Sequence, residues 1–301
     1  MRFGISPLSL GLIIDKVLKE KGINGLSQFR LSELVEGVAK AGYNHCEISL
    51  DFFQIFPIPI TNEEIERLKN LKQDYDLSYS AHLPFISIEL ASPNKFIREA
   101  SIRSIIDAYN SFIQLKDDID VYVLHPTGEF MADAMKFITD PGIYPIAIKL
   151  FTETAIKSIK EIIDKSGIDR NKIAIENVEF PLDAIIKMVK KLNTKLCIDT
   201  AHVLAGFSGK CDLLEIAEKY FDITGEIHLQ DYDDESLLSD HCALGTGKNF
   251  PPEFLNLIHQ KDFKGPIVFE LSREDIMTSI EYIKKKAPLI EIPNIKNQPF
   301  Y

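Results

Sequence analysis

Asp199 and His202 stand three residues apart in CIDTAHVLAG, where an apolar run ends on an acid and the next turn supplies an imidazole. The pattern recurs along the chain. His82 follows an apolar run in SAHLPF, His125 in VLHPTG, Glu176 in AIEN, His228 in EIHLQD and Glu270 in VFEL, while His241 lies in SDHCALGTG. Five of the seven histidines therefore sit where an apolar run ends or just beyond it. Each residue alone has a plainer role. A strand-end His satisfies a backbone carbonyl, a Glu pairs with a neighbouring strand, and Asp199 caps the turn that follows. Brought to one place, the carboxylates would repel and need neutralising. A divalent cation does that, and imidazole with carboxylate is the ligand set of Zn²⁺ or Mn²⁺. One to three such ions are expected if the runs end together.

The elements between these residues say that they do. Short β-rich runs occur at RFGIS (2–6), HCEIS (45–49), SYSAH (78–82), VYVLH (121–125), KIAIEN (172–177), KLCID (195–199), EIHLQ (226–230) and PIVFEL (266–271). Between them lie segments with apolar residues at spacings of three and four, the mark of amphipathic helices. Near-continuous apolar strands alternating with helices predict a parallel sheet covered by helices. Eight such units fit a closed (β/α)₈ TIM barrel, a single α/β domain over residues 1–287 with a tail at 288–301. GxGxxG and P-loop motifs, which a doubly wound nucleotide-binding sheet would carry, are missing. The stretch 7–30 contains LGLIIDKVLKEKG, expected as an extra helix near the exit of the first strand. In a barrel the strand ends converge on one mouth, where the chemistry sits.

Composition narrows the classes. With 45% apolar and 26% charged residues the chain reads as an ordinary globular protein. It has no run approaching the ~20 apolar residues of a membrane helix, and its N-terminus lacks a signal-peptide cleavage pattern. Four cysteines without a CxxC pair suit a reducing cytoplasm. A formal net charge of −11 opposes loose binding to nucleic-acid phosphates. His45, at the start of its strand, and His259, on a helix, are expected to be structural.

The motifs HLPF with IELASPNKFIREASI, then LHPTG, IEN, IDTAH, IHLQD, HCALGTG and FEL, together resemble the xylose-isomerase-like barrel superfamily. That superfamily includes sugar isomerases and epimerases and the endonuclease IV type of DNA-repair enzyme. The resemblance to the epimerases implies that Glu176, Asp199, His228 and Glu270 hold one divalent metal. Glu176 and Glu270 would then move the substrate proton, and His202 would contact a substrate oxygen. The resemblance to endonuclease IV implies that His82, His125, His202 and His241 join those four around three zinc ions. Eight of that type's nine ligand positions are filled. The ninth is Ser239, with Asp240 beside it.

Acidic balance, the missing ninth ligand and Phe85 at the mouth favour a small sugar, keto-sugar or sugar phosphate and an isomerase or epimerase. The alternative is a zinc phosphodiester hydrolase with DNA or a small diester as substrate. Glu47, His202, Lys248 and Arg273 are the candidate substrate contacts; Glu47 fits a barrel-interior ion pair equally well, and the last two either hold phosphate, as such barrels do there, or are surface charges. The apolar run FFQIFPIPI would cover a ligand, form a contact between copies in a homo-oligomer, or be core. A scaffold without catalysis is the remaining reading.

Overall fold

The computed structural model describes residues 1–7, 22–56, 58, 60–236, 239–247, 249–298 and 300. The helix expected within 7–30 and Lys248 therefore lie largely or wholly outside the described residues. Eight parallel strands close into a barrel in chain order. They are β1 (Arg2–Ile5), β2 (His45–Ser49), β3 (Ser78–His82), β4 (Ile119–Leu124), β5 (Ile173–Glu176), β6 (Lys195–Asp199), β7 (Thr224–His228) and β8 (Pro266–Phe269). Closure comes from β1 pairing with β8, Phe3 beside Ile267 and Ile5 beside Phe269.

Helices cover the barrel: α1 (Leu31–Lys40), α2 (Asp51–Ile55), α3 (Asn62–Asp74), α4 (Lys95–Ser111), α5 (Glu129–Lys136), α6 (Ile143–Ser166), α7 (Leu182–Leu192), α8 (Thr200–Leu204), α9 (Leu213–Tyr220), α10 (Glu253–Gln260) and α11 (Arg273–Lys286). Their starts follow side-chain capping. Thr61 accepts from Glu64 N–H at the head of α3, and Ser272 from Asp275 N–H at the head of α11. Gly167 ends α6 at φ 71°, a conformation that costs glycine little. No helix among the described residues is long and apolar enough to cross a membrane.

The principal core lies between strands and helices, a continuous cluster from Phe3 to Ile295. FFQIFPIPI contributes to it through Phe52 and Ile58, both buried, while Ile55 is exposed. Behind α11, Ile290 and Ile295 pack into the same core and Lys296 N–H donates to Ala41 O at 2.7 Å.

The barrel interior is different. Its apolar part is a small cluster of Val121, Val123, Ala174 and Cys197, and buried beside it are His45, Glu47, Ser80 and Glu226. Gly4 makes room for His45, since a Cβ there would stand 2.6 Å from the imidazole. His45 Nδ1 lies 2.7 Å from Ser78 Oγ and Nε2 lies 2.9 Å from Ser80 Oγ. Burial pushes its pKa down to about 3. The unfolded chain, with an ordinary imidazole near 6.5, takes up a proton that the native state refuses. His45 therefore weakens the fold as pH falls from about 6.5 towards 3, by up to about tenfold in the folding constant per pH unit. In urea titrations between pH 7 and 4, His45→Gln should lose less stability on acidification than wild type. Parallel pH profiles would show that the fold does not hold His45 neutral.

Candidate metal centre

The C-terminal ends of β3 to β8 bring the predicted residues into one cluster. Glu176, the last residue of β5, is at its centre and is 1% exposed. Its Oε2 meets His125 Nε2 at 3.0 Å and His82 Nε2 at 3.3 Å. Its Oε1 lies 3.2 Å from His202 Nδ1 and 3.7 Å from His228 Nδ1. Parallel register sets Asp199 of β6 beside His228 of β7. His228 Nδ1 then faces Asp199 Oδ2 at 3.8 Å and Glu270 Oε2 at 3.3 Å, besides Glu176.

Asp199 fills both of its expected roles. Its Oδ1 accepts the His202 backbone N–H at 2.8 Å, capping α8. Its Oδ2 turns to the cluster and accepts from Gln230 Nε2 at 2.6 Å. The short helix carries His202 back over the mouth, with Nε2 3.8 Å from Asp240 Oδ2. An antiparallel bridge between Asp231 and Cys242 folds the loop after β7 back on itself, and Asp231 fixes the descending side by accepting from Gly245 and Gly247 N–H. His241 is thereby delivered with Nδ1 2.9 Å from Asp240 Oδ1 and Nε2 4.0 Å from Glu270 Oε2. Asp240 thus reaches in from beside Ser239, the position that lacks a carboxylate.

Three of the imidazoles hold Nδ1 against an oxygen. His82 Nδ1 faces Leu83 O at 2.9 Å, His202 Nδ1 faces Asn177 O at 3.1 Å, and His241 Nδ1 faces Asp240. Each contact favours the proton on Nδ1 in the neutral ring, so that Nε2 becomes a lone-pair donor once its own proton leaves, the usual supporting device of metal sites. His228 is reversed, and both of its nitrogens are buried without a hydrogen-bond partner. An orphaned imidazole ringed by three carboxylates fits a cation at Nδ1. Four groups among the described residues bring three ligand atoms within 4.8 Å of one another: His82, His125 and Glu176; Glu176, Asp199 and His202; Glu47, His228 and Glu270; and Glu176, Cys197 and His228.

Charge tells the same story. Burial would raise the Glu176 carboxyl, but His125, His228 and His202 hold it well below the usual range. Burial raises Asp199, whose nearest relief is the His202 imidazole. Burial likewise works against charge on the imidazoles, yet Glu176 pushes His82 up to about 9 and the carboxylates of Asp199 and Glu176 push His202 up to about 10. Protons on imidazoles thus balance the acids. A divalent ion competes for the same lone pairs, so its binding releases protons and tightens as pH rises.

The other candidates stand apart from the open mouth. Glu47 has no exposure and faces the far side of His228 rather than the open mouth. Arg273 opens α11 and pairs with Glu274 at 3.1 Å. Two participants escaped the sequence reading. Gln230 bridges Asp199 and Glu270, at 2.6 and 3.4 Å, and Asn177 clasps the Asp199 backbone through both ends of its amide. A polar residue two positions past one strand end, or next to another, was their only signal.

Residues 35–286 match the family described as xylose isomerase-like TIM barrel. The uncharacterized protein MJ1311 of Methanocaldococcus jannaschii is 25% identical over 245 residues, covering 77% of each chain. Among solved structures, endonuclease IV from Thermus thermophilus superposes with a TM-score of 0.66 at 16% identity, over 96% of this chain and 100% of that one. A D-tagatose 3-epimerase-like protein superposes with a TM-score of 0.65 at 20% identity, over 96% and 98%. The 3-keto-D-glucoside 4-epimerase YcjR of E. coli gives 0.63 at 11%, over 95% and 99%. At these identities the structural likeness establishes the fold.

Proposed function

The chain belongs to the xylose isomerase-like TIM-barrel family, and we propose that within it this protein is a zinc-dependent phosphodiester hydrolase with more than one ion in its centre. One observation carries the reading: Glu176 offers both oxygens to different imidazole sets, Oε2 to His82 and His125, Oε1 to His202 and His228. A carboxylate so placed suits a bridge between ions. It is poorly suited to remove a proton from carbon, because the imidazoles that hold it ionised also occupy both oxygens.

His82, His125 and Glu176 would hold one ion; Glu176, Asp199, His228 and Glu270 a second; His202, His241 and Asp240 a third. When bound, the ions supply Lewis acidity to a phosphoryl oxygen, acidify water near neutral pH and stabilise the departing alkoxide. The protein supplies the rest. Gln230 and Asn177 lock Asp199, and Asp231 locks the loop that carries His241. Phe85, 38% exposed and within 4.9 Å ring to ring of both His82 and His125, sets an apolar wall beside the mouth. The acidic rim repels an anion until the ions invert its sign, so substrate binding depends on them.

A second reading has its own observation. Glu176, Asp199 and Glu270 all converge on His228 Nδ1, the single-ion set of an epimerase acting on a small sugar or sugar phosphate by carboxylate proton transfer. The zinc-loaded protein should cleave an abasic-site duplex or bis(p-nitrophenyl) phosphate and lose that activity to a chelator. Solvent deuterium entering a ketose, with both diesters untouched, would instead establish the epimerase.

A further inference from the structure

Below His228, on the side away from the mouth, four buried polar atoms meet without a hydrogen-bond partner: His228 Nε2, Glu47 Oε1 and Oε2, and Glu226 Oε2. None of the three residues has any exposure. Glu47 Oε2 stands 3.4 Å from His228 Nε2. The other oxygen of Glu226 accepts from Ser80 Oγ at 2.8 Å, and the same hydroxyl lies 2.9 Å from His45 Nε2.

Register explains the gathering. Glu47 of β2 lies beside Ser80 of β3, and Cys197 of β6 beside Glu226 of β7, so one interior layer holds them all. Such layers are ordinarily filled by bulky apolar side chains. A carboxylate with both oxygens unpartnered costs stability there, and no described salt bridge to Lys or Arg relieves it. What it faces is the reverse edge of the imidazole whose Nδ1 meets Glu176, Asp199 and Glu270.

We propose that Glu47 is a positioning residue for the metal centre, accepting Nε2–H of His228 and so fixing the tautomer whose Nδ1 lone pair meets the ion. The role rests on the metal-dependent reading above, whichever reaction the centre performs. Glu226 meets Glu47 within this layer and is itself held by the Ser80 hydroxyl. A carboxylate behind a ligating imidazole orients the ring and raises its basicity. Glu47 therefore never touches substrate. The 3.4 Å contact falls short of hydrogen-bond geometry and tightens when an ion draws on Nδ1.

The test is zinc affinity, measured on full-length wild type and Glu47→Gln by competition with a chromophoric chelator. Calorimetry of the metal-free proteins and nitrogen-15 spectra of the His228 ring in the loaded ones accompany it. Glu47→Gln should bind zinc about 10–100-fold more weakly, melt no lower than wild type when metal-free, and move the Nε2–H proton of the loaded His228 ring upfield as a charged acceptor gives way to an amide. A merely structural residue would lower the melting temperature and leave that shift alone. If Glu47→Gln does not fold, Glu47→Met makes the same comparison. Wild-type affinity and an unchanged Nε2–H shift in a folded variant overturn this role alone. Failure of wild type to bind any divalent ion overturns the metal-dependent reading and this role with it.

Discussion

Glu176→Ala should abolish hydrolysis and weaken zinc binding by about 10²–10⁴-fold, the largest effect expected of any single substitution. Removing one partner of a buried charge cluster costs roughly 3–5 kcal/mol, which is that range in an equilibrium constant. Glu176 is the case in point because its two oxygens face four imidazoles at 3.0 to 3.7 Å. Without it the His82–His125 pair loses the one carboxylate that contacts both rings among the described residues, and the quartet around His228 keeps two acids. Glu176→Gln separates charge from shape. It retains the side-chain volume and should lose nearly as much affinity, since an amide neutralises no cation. Calorimetric titration with zinc checks both, and a variant within about threefold of wild type would remove Glu176 from the centre.

His125→Ala should lower diester hydrolysis by about 10²–10³-fold, the several kcal/mol that an ion contributes to a phosphoryl transition state. The imidazole is 19% exposed at the rim, so its truncation opens a shallow gap and should leave the melting temperature nearly unchanged. It belongs to the His82 side of Glu176 and makes no contact with Asp199 or Glu270 among its described contacts. In a single-ion epimerase the same substitution would spare the metal and cost about tenfold or less. Initial rates on both substrate types, for wild type and variant under saturating zinc, make the comparison. Retention of full hydrolytic activity would sink the role of the His82–His125 pair.

The barrel was readable because a parallel strand buried on both faces is an unbroken apolar run, and the runs of β3 to β8 each end at an acid or an imidazole. His82, Glu176, Asp199, His228 and Glu270 followed from that rule alone. What escaped it depends on distance. Whether Glu47 faces mouth or axis turns on the register between β2 and β7, strands that never pair. Asp240 reaches the cluster through a loop whose path is set by the Asp231–Cys242 bridge, a contact no periodicity announces. EFMADAMK, now α5, is a helix of two turns, too short to declare a period. α6 begins at Ile143, and Pro145 falls in its first turn, whose amides need no partner. The preference for an epimerase rests on charge and on Ser239. Asp240, beside it, lies within reach of both His202 and His241, which supports the hydrolase proposed here.

Anomalous diffraction at the zinc edge from crystals grown with zinc tests the central claim most directly. At least two peaks on opposite sides of the Glu176 carboxylate, one among His82 and His125 and one among Asp199, His228 and Glu270, are predicted. A lone peak beside His228, with His82 and His125 bound to no ion, would contradict it.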